Sequence, residues 1–152
     1  MRQPDFLDLP DRPAKPRERG VTHVIDTGLS TYAAASLMEG AADYIDLVRL
    51  GWGSAYVTRD VKAKLDAYRD AGVDVMLGGT LTELAWLRGK VDGLCDWLRD
   101  LGIDRVEVSS GTVAIPPDEK LELIDRLSNE FRVYAEVGEK DPAAIMAPTA
   151  NI

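Results

Sequence analysis

Two carboxylates stand where a strand would be expected to carry apolar side chains: Glu107 lies between Val106 and Val108, and Glu136 between Ala135 and Val137. Side chains alternate across a strand, so flanking residues that pack on helices send the carboxylate to the opposite face. Gly51 and Gly53 follow one apolar run, and Gly78 and Gly79 follow another. Glycines at such places let backbone N–H groups approach an anion closely, as in phosphate nests, and they equally serve as plain turn formers. The formal net charge is −8, so an anionic substrate would need a positive site that is local. The same balance argues against a nucleic-acid groove, which depends on clustered Lys and Arg neutralising phosphates.

The elements that must position these residues are legible from turns and periodicity. Five β-prone runs are expected, at 21–26, 44–50, 73–77, 105–108 and 132–137, each ending in small or glycine-rich residues. Between them lie helical patterns, such as Val61, Leu65 and Tyr68 before the Ala71-Gly72 stop. Thr80-Leu81-Thr82-Glu83 has the form of a capping box, followed by one apolar stripe through Leu84, Leu87, Val91, Leu94, Leu98 and Leu101 to Gly102. Pro116 and Pro117 open a helix whose expected buried face is Leu121, Ile124 and Leu127. A shorter helix is expected after Ser30 with Leu37 and Met38 inward, and a last one from Asp141-Pro142, stopped by Pro148. Residues 1–20, rich in Pro and charge, read as an irregular lead-in to a single domain at 21–152.

Strand ends recur roughly every 25–30 residues, the length of a βα unit, which implies parallel strands and right-handed crossovers. Length alone suits an open, doubly wound sheet. The strand carboxylates argue for a barrel instead, because a doubly wound sheet has helices on both faces whereas a barrel has a lumen where catalytic groups gather. The expectation is therefore an α/β fold of parallel (β/α) units of a TIM barrel, with about five of the eight units present, a partial barrel. The lone Cys95 excludes an intrachain disulfide and sits in a helical apolar spacing that reads as core. The lack of a long apolar run or a secretory signal gives a cytoplasmic expectation, with no membrane partner.

The strand-end motifs together resemble those of the phosphosulfolactate synthase family. They are Lys15-Pro16-Arg17, the run from Val21 to Leu29, Gly51-Trp52-Gly53-Ser54, Gly78-Gly79-Thr80-Leu81, the run from Val106 to Thr112, and Glu136-Val137-Gly138-Glu139-Lys140. The resemblance implies a Mg²⁺-dependent lyase on a TIM barrel that adds sulfite to phosphoenolpyruvate, giving phosphosulfolactate for coenzyme M or sulfolactate synthesis. It implies Lys140 and Glu136 as the catalytic residues, with Lys140 orienting sulfite or supplying the proton. Glu107, Glu136 and Asp26 become the pool of metal ligands, since magnesium prefers carboxylate oxygen. Luminal carboxylates paired structurally with Arg49 or Arg105, and a turn role for Asp26, are the alternatives. Arg49 and Ser54 depart from the family pattern, which has lysine and threonine there. Guanidinium stays protonated, so Arg49 is assigned to phosphate or carboxylate binding with Gly51, Gly53, Gly78 and Gly79. Lys15 and Arg17 precede the first strand and fall near the face opposite the usual active site, Trp52 either lines the pocket or packs, and His23 is a core or luminal residue.

On this reading about three further units are missing, so the first and last strands would be open edges and the isolated chain is expected to be catalytically impaired. Pairing of two chains through those edges into a homo-oligomer is the expected compensation. The alternative function is a non-catalytic remnant, or a stress-associated protein of the same fold acting through protein contacts. A third, another phosphate-handling barrel enzyme such as an aldolase or epimerase, is disfavoured by Gly51-Trp52-Gly53.

Overall fold

A computed structural model of the chain describes residues 6, 8 and 10–138. Five parallel strands form one sheet: β1 (His23–Asp26), β2 (Leu47–Leu50), β3 (Asp74–Leu77), β4 (Arg105–Val108) and β5 (Arg132–Ala135). They lie in the order β1-β2-β3-β4-β5, so each strand pairs with its sequence neighbour. This order separates the two architectures left open by length. A doubly wound sheet reverses direction at a switch point, whereas right-handed crossovers between successive neighbours put every helix on one face. The fold is α/β, consecutive (β/α) units of a partial TIM barrel.

Six α-helices connect the strands, α1 (Thr31–Ala41), α2 (Ser54–Val57), α3 (Val61–Asp70), α4 (Gly79–Leu87), α5 (Val91–Leu101) and α6 (Pro117–Ser128), with a short 3₁₀ helix at Ala42–Tyr44. Their apolar sides meet Val48, Leu50, Val75, Leu77, Val106 and Val108 in one core cluster. Leu47 and Met76, of the other parity, are buried but stand outside that cluster. The register pairs Arg49 with Met76, and Glu107 with Tyr134. The luminal layer therefore runs through His23 and Ile25, Leu47 and Arg49, Met76, Glu107 and Tyr134, and the outward layer carries the core.

Three local expectations are corrected. The single apolar stripe from 84 to 101 is two helices, because Gly89 adopts φ +61° and ends α4. Its N–H reaches Trp86 O at 2.9 Å, and the Lys90 N–H reaches Ala85 O at 2.7 Å, the paired closure that a left-handed residue after a helix permits. The capping box does not form either: Gly78 precedes α4 without a side-chain cap, and Glu83 bonds elsewhere. In α6 the buried face is Lys120, Leu123 and Leu127, while Leu121 is 59% exposed. The expected face holds at Leu127 and at the partly buried Ile124, but Lys120 takes the inward place expected for Leu121.

The described part of the lead-in is tied to the N-terminal ends of the strands. Arg17 donates to Asp46 Oδ1 at 2.7 Å, just before β2, and to Asp43 O at 2.7 Å. Arg12 donates to Thr22 Oγ1 at 2.6 Å, and Lys15 to Gly72 O at 3.3 Å. Burial raises the Asp46 carboxyl, but the Thr22 amide and Arg17 outweigh it and hold the group below its ordinary range. These basic residues thus brace the end opposite the one where βα loops gather.

Candidate functional site

At the C-terminal ends of the strands, Arg49, Glu107 and Glu136 converge. Each has the luminal parity of its own strand or of the residue just past it, so parallel alignment brings three side chains from β2, β4 and the end of β5 into one place. Arg49 Nη1 pairs with Glu107 Oε2 and lies 3.8 Å from Glu136 Oε1. The Glu107 side chain is almost fully buried, those of Arg49 and Glu136 are 24% and 36% exposed, and no partner other than Arg49 engages Glu136 Oε1 among the described residues. A pocket of about 50 Å³ opens beside them, bounded by Ile25 and Trp52 on one side and by Gly78, Gly79 and Thr80 on the other.

The glycines shape this pocket by the side chains they lack. Gly51 N–H donates to Asp26 O at 2.9 Å, and Gly78 N–H to Leu50 O at 3.0 Å. Gly79 N–H, the first of α4, donates to Glu107 Oε1 at 3.1 Å. Three of the four amides of the expected cradle are therefore already engaged by the protein itself. A Cβ on Gly79 would collide with Ser109 and come within 2.9 Å of Glu107 Oε1, and one on Gly78 would reach Leu50 O at 2.7 Å. Gly79 thus permits the close approach of α4 to Glu107, and Gly78 the close approach to the end of β2. Gly53 sits apart, with φ +73° at the start of α2 and Leu81 as its neighbour.

Asp26 does not join Glu107 and Glu136. It has the outward parity of β1 and faces α3, where Lys64 Nζ lies 2.5 Å from its Oδ2 and Tyr68 Oη donates to the same oxygen at 2.9 Å. Its Oδ1 accepts from the Gly28 and Leu29 amides at 2.8 and 2.7 Å. Burial alone would raise this carboxyl, yet Lys64, the two amides and Tyr68 prevail and lower it, while burial and the Asp26 charge push the Tyr68 hydroxyl up. Among the described residues no group of three or more His, Cys, Asp or Glu side chains could hold a metal ion. Lys140 lies outside the described residues. His23 is luminal, and partial burial followed by the nearby Arg49 charge lowers its pKa, against an opposing pull from Glu107.

Sequence reasoning passed over two buried charged residues, Lys64 and Lys120, and gave a third, Glu83, only a capping role. Lys64 lies three positions from Val61 and four from Tyr68, and Lys120 lies three before Leu123 and seven before Leu127. A charge in phase with an apolar stripe was the available signal, since such a residue is buried only with partners. Lys120 Nζ donates to Glu136 O at 2.7 Å and to Ser110 Oγ at 3.3 Å, tying the loop after β4 to the end of β5.

Comparison with known proteins gives a consistent result. Residues 10–152 match the family model described as (2R)-phospho-3-sulfolactate synthase. The chain is 44% identical over 141 residues to the phosphosulfolactate synthase of Methanothermobacter thermautotrophicus, covering 91% of this chain and 54% of that protein. Against the Bacillus subtilis phosphosulfolactate synthase it is 37% identical, covering 90% and 55%. Against that of Methanocaldococcus jannaschii it is 41% identical, covering 82% and 51%. The chain spans about half the length of the curated relatives it matches.

Proposed function

Because the chain belongs to the phosphosulfolactate synthase family, we propose that it contributes the phosphoenolpyruvate-binding part of a site that adds sulfite across the vinyl group of that substrate. The observation that carries the reading is Arg49, held at the luminal mouth between Glu107 and Glu136 beside the start of α4. Arg49 uses Nη1 on the carboxylates, and the rest of its planar fork suits a carboxylate or phosphate. In the reaction, sulfur forms a bond to the terminal vinyl carbon, electrons move toward the substrate carboxylate, and the neighbouring carbon takes a proton. Arg49 stabilises the developing negative charge from a position already fixed by Glu107, so little reorganisation is needed as charge builds.

The donor set is compatible with magnesium only in a particular form. Two carboxylates are too few for an all-protein cage, but Mg²⁺ is commonly bound by one or two carboxylates with water and substrate phosphate. Glu136, with the more accessible carboxylate, would hold the ion directly and Glu107 through water. When bound, the ion would supply further neutralisation of the enolate-like charge. Lys140 remains the proposed proton source or sulfite-orienting group, carried by its family motif, and a cytoplasmic setting is part of the same reading. Among the described residues no helix is long and apolar enough to cross a membrane.

Purified protein with phosphoenolpyruvate, sulfite and Mg²⁺ tests the proposal. Phosphoenolpyruvate is expected to bind in calorimetry, and Arg49→Gln is expected to weaken it by about tenfold or more, the scale of one charge-assisted contact. Sulfite-dependent consumption of phosphoenolpyruvate is expected to fall in parallel. Unchanged affinity in Arg49→Gln would remove the basis of the reading.

A further inference from the structure

The Ser109-Ser110-Gly111-Thr112 segment after β4 looks, in sequence, like a place for a substrate anion. Its polar groups are in fact turned onto a carboxylate from the protein itself. Glu83, fully buried on α4, accepts from Gly111 N–H at 3.1 Å and from the Ser109 hydroxyl on Oε1. It accepts from Thr112 N–H at 2.7 Å and Val113 N–H at 2.6 Å on Oε2. Three successive amides directed at one carboxylate form an anion-binding nest. Four donors on two oxygens fill the acceptor capacity of a carboxylate.

We propose that this nest is an anion site occupied permanently by the Glu83 carboxylate, which makes Glu83 the positioning residue of the loop between β4 and α6. The position matters for the neighbouring site. Ser109, held by Glu83, packs against the Gly79 backbone, and Gly79 N–H in turn donates to Glu107. One carboxylate on the first turns of α4 therefore sets both the loop and the approach of that helix to the luminal cluster. The nest cannot also take a substrate phosphate, which leaves the Arg49 side of the mouth for that group. This last step rests on the function proposed above, whereas the occupancy of the nest does not.

The site created by removing Glu83 should accept a small carboxylate, and formate is the probe. Amide hydrogen exchange at Gly111, Thr112 and Val113 reports on the nest, with α5 amides as the reference. In Glu83→Gln, which keeps the size but faces an NH₂ toward N–H donors, exchange at these amides is expected to rise by about tenfold or more, the scale of one lost charged hydrogen bond. In Glu83→Ala, formate is expected to slow them again several-fold where the same concentration of chloride does not. Ser109→Ala, which leaves the three amide donors in place, should alter Thr112 and Val113 by less than about threefold, and it keeps the test decisive if Glu83→Ala fails to fold. Phosphoenolpyruvate affinity should not rise in Glu83→Gln, because the nest is not the phosphate's place. Unchanged exchange in Glu83→Gln, or tighter phosphoenolpyruvate binding in that variant, overturns the assignment. Faster exchange with formate rescue in a protein that binds no phosphoenolpyruvate supports the nest and discards the functional reading alone.

Discussion

Two clusters of opposite charges sit near the same end of this sheet, and they differ in how completely they are satisfied. Around Asp26, on the helix side of β1, the carboxylate and the Lys64 ammonium are each about 1% exposed, and both carboxylate oxygens are engaged by Lys64, Tyr68 and two amides. Around Arg49, on the luminal side, Glu107 is buried and bonded while Glu136 is partly exposed and more loosely held. The first cluster fastens β1 to α3, and neither oxygen of its carboxylate is free of a protein partner. The second has spare capacity beside a small pocket. Charge near a strand end does not by itself mark a site; the parity of the residue decides which face it serves, and the number of partners decides whether it is available.

That contrast can be broken most severely at Lys64. Lys64→Met leaves a buried carboxylate without its cation and is expected to cost about 3–5 kcal/mol in urea denaturation, because desolvation of Asp26 is no longer offset. Replacing both partners, Lys64→Met with Asp26→Leu, should recover most of that loss, since a well-packed apolar pair needs no such compensation. A double variant as unstable as the single one would show that the cluster acts through its hydrogen bonds to Tyr68 and the loop amides.

The next effect is the pH dependence of the same carboxylate. Its folded pKa lies below its unfolded value, so the unfolded chain binds more protons in the interval between them. The associated stability is present above the ordinary Asp value of about 3.9 and is lost as pH falls through the depressed folded value. Asp46 is shifted in the same sense, so the wild-type slope alone does not isolate Asp26. Urea midpoints measured from neutral to acidic pH should therefore fall less steeply in Asp26→Asn than in wild type, and parallel curves would assign the acid sensitivity to other carboxylates.

The smallest expected effect sharpens the luminal side of the comparison. Glu136→Gln should change stability by less than about 1 kcal/mol, since an exposed pair 3.8 Å apart contributes little. Calorimetric Mg²⁺ binding in the presence of phosphoenolpyruvate should nevertheless weaken in this variant. A loss of stability comparable to that of Lys64→Met would place Glu136 in the same structural class as Asp26.

Much of the architecture could be read without coordinates, and the readable part has a common cause. The turn residues after each strand, the spacing of apolar residues in α3 and α5, and the alternation around Glu107 and Glu136 are local patterns, each dictated by the geometry of a single element. They placed the strands, overrunning by a few residues at the starts of β1 and β2 and at the end of β5, and they placed Cys95 in the core, where burial raises its thiol pKa. The misreadings arose where an element's end or phase depended on a neighbour. Gly89 ends α4, although the apolar stripe continues across it. Glu83 is drawn from a local cap to the loop after β4 by amides 28–30 positions away in sequence.

By itself, the sequence determined the alternating strand and helix order, the luminal parity of Arg49, Glu107 and Glu136, and family membership, because these are properties of periodicity and motif order along one chain. Only the tertiary structure decided that strands pair in sequential order, that Asp26 faces Lys64 and Tyr68 instead of the lumen, and that the Gly51, Gly78 and Gly79 amides are already occupied. Those outcomes depend on which buried polar groups meet across elements far apart in the chain. A buried charge must find its partner wherever packing brings one within reach.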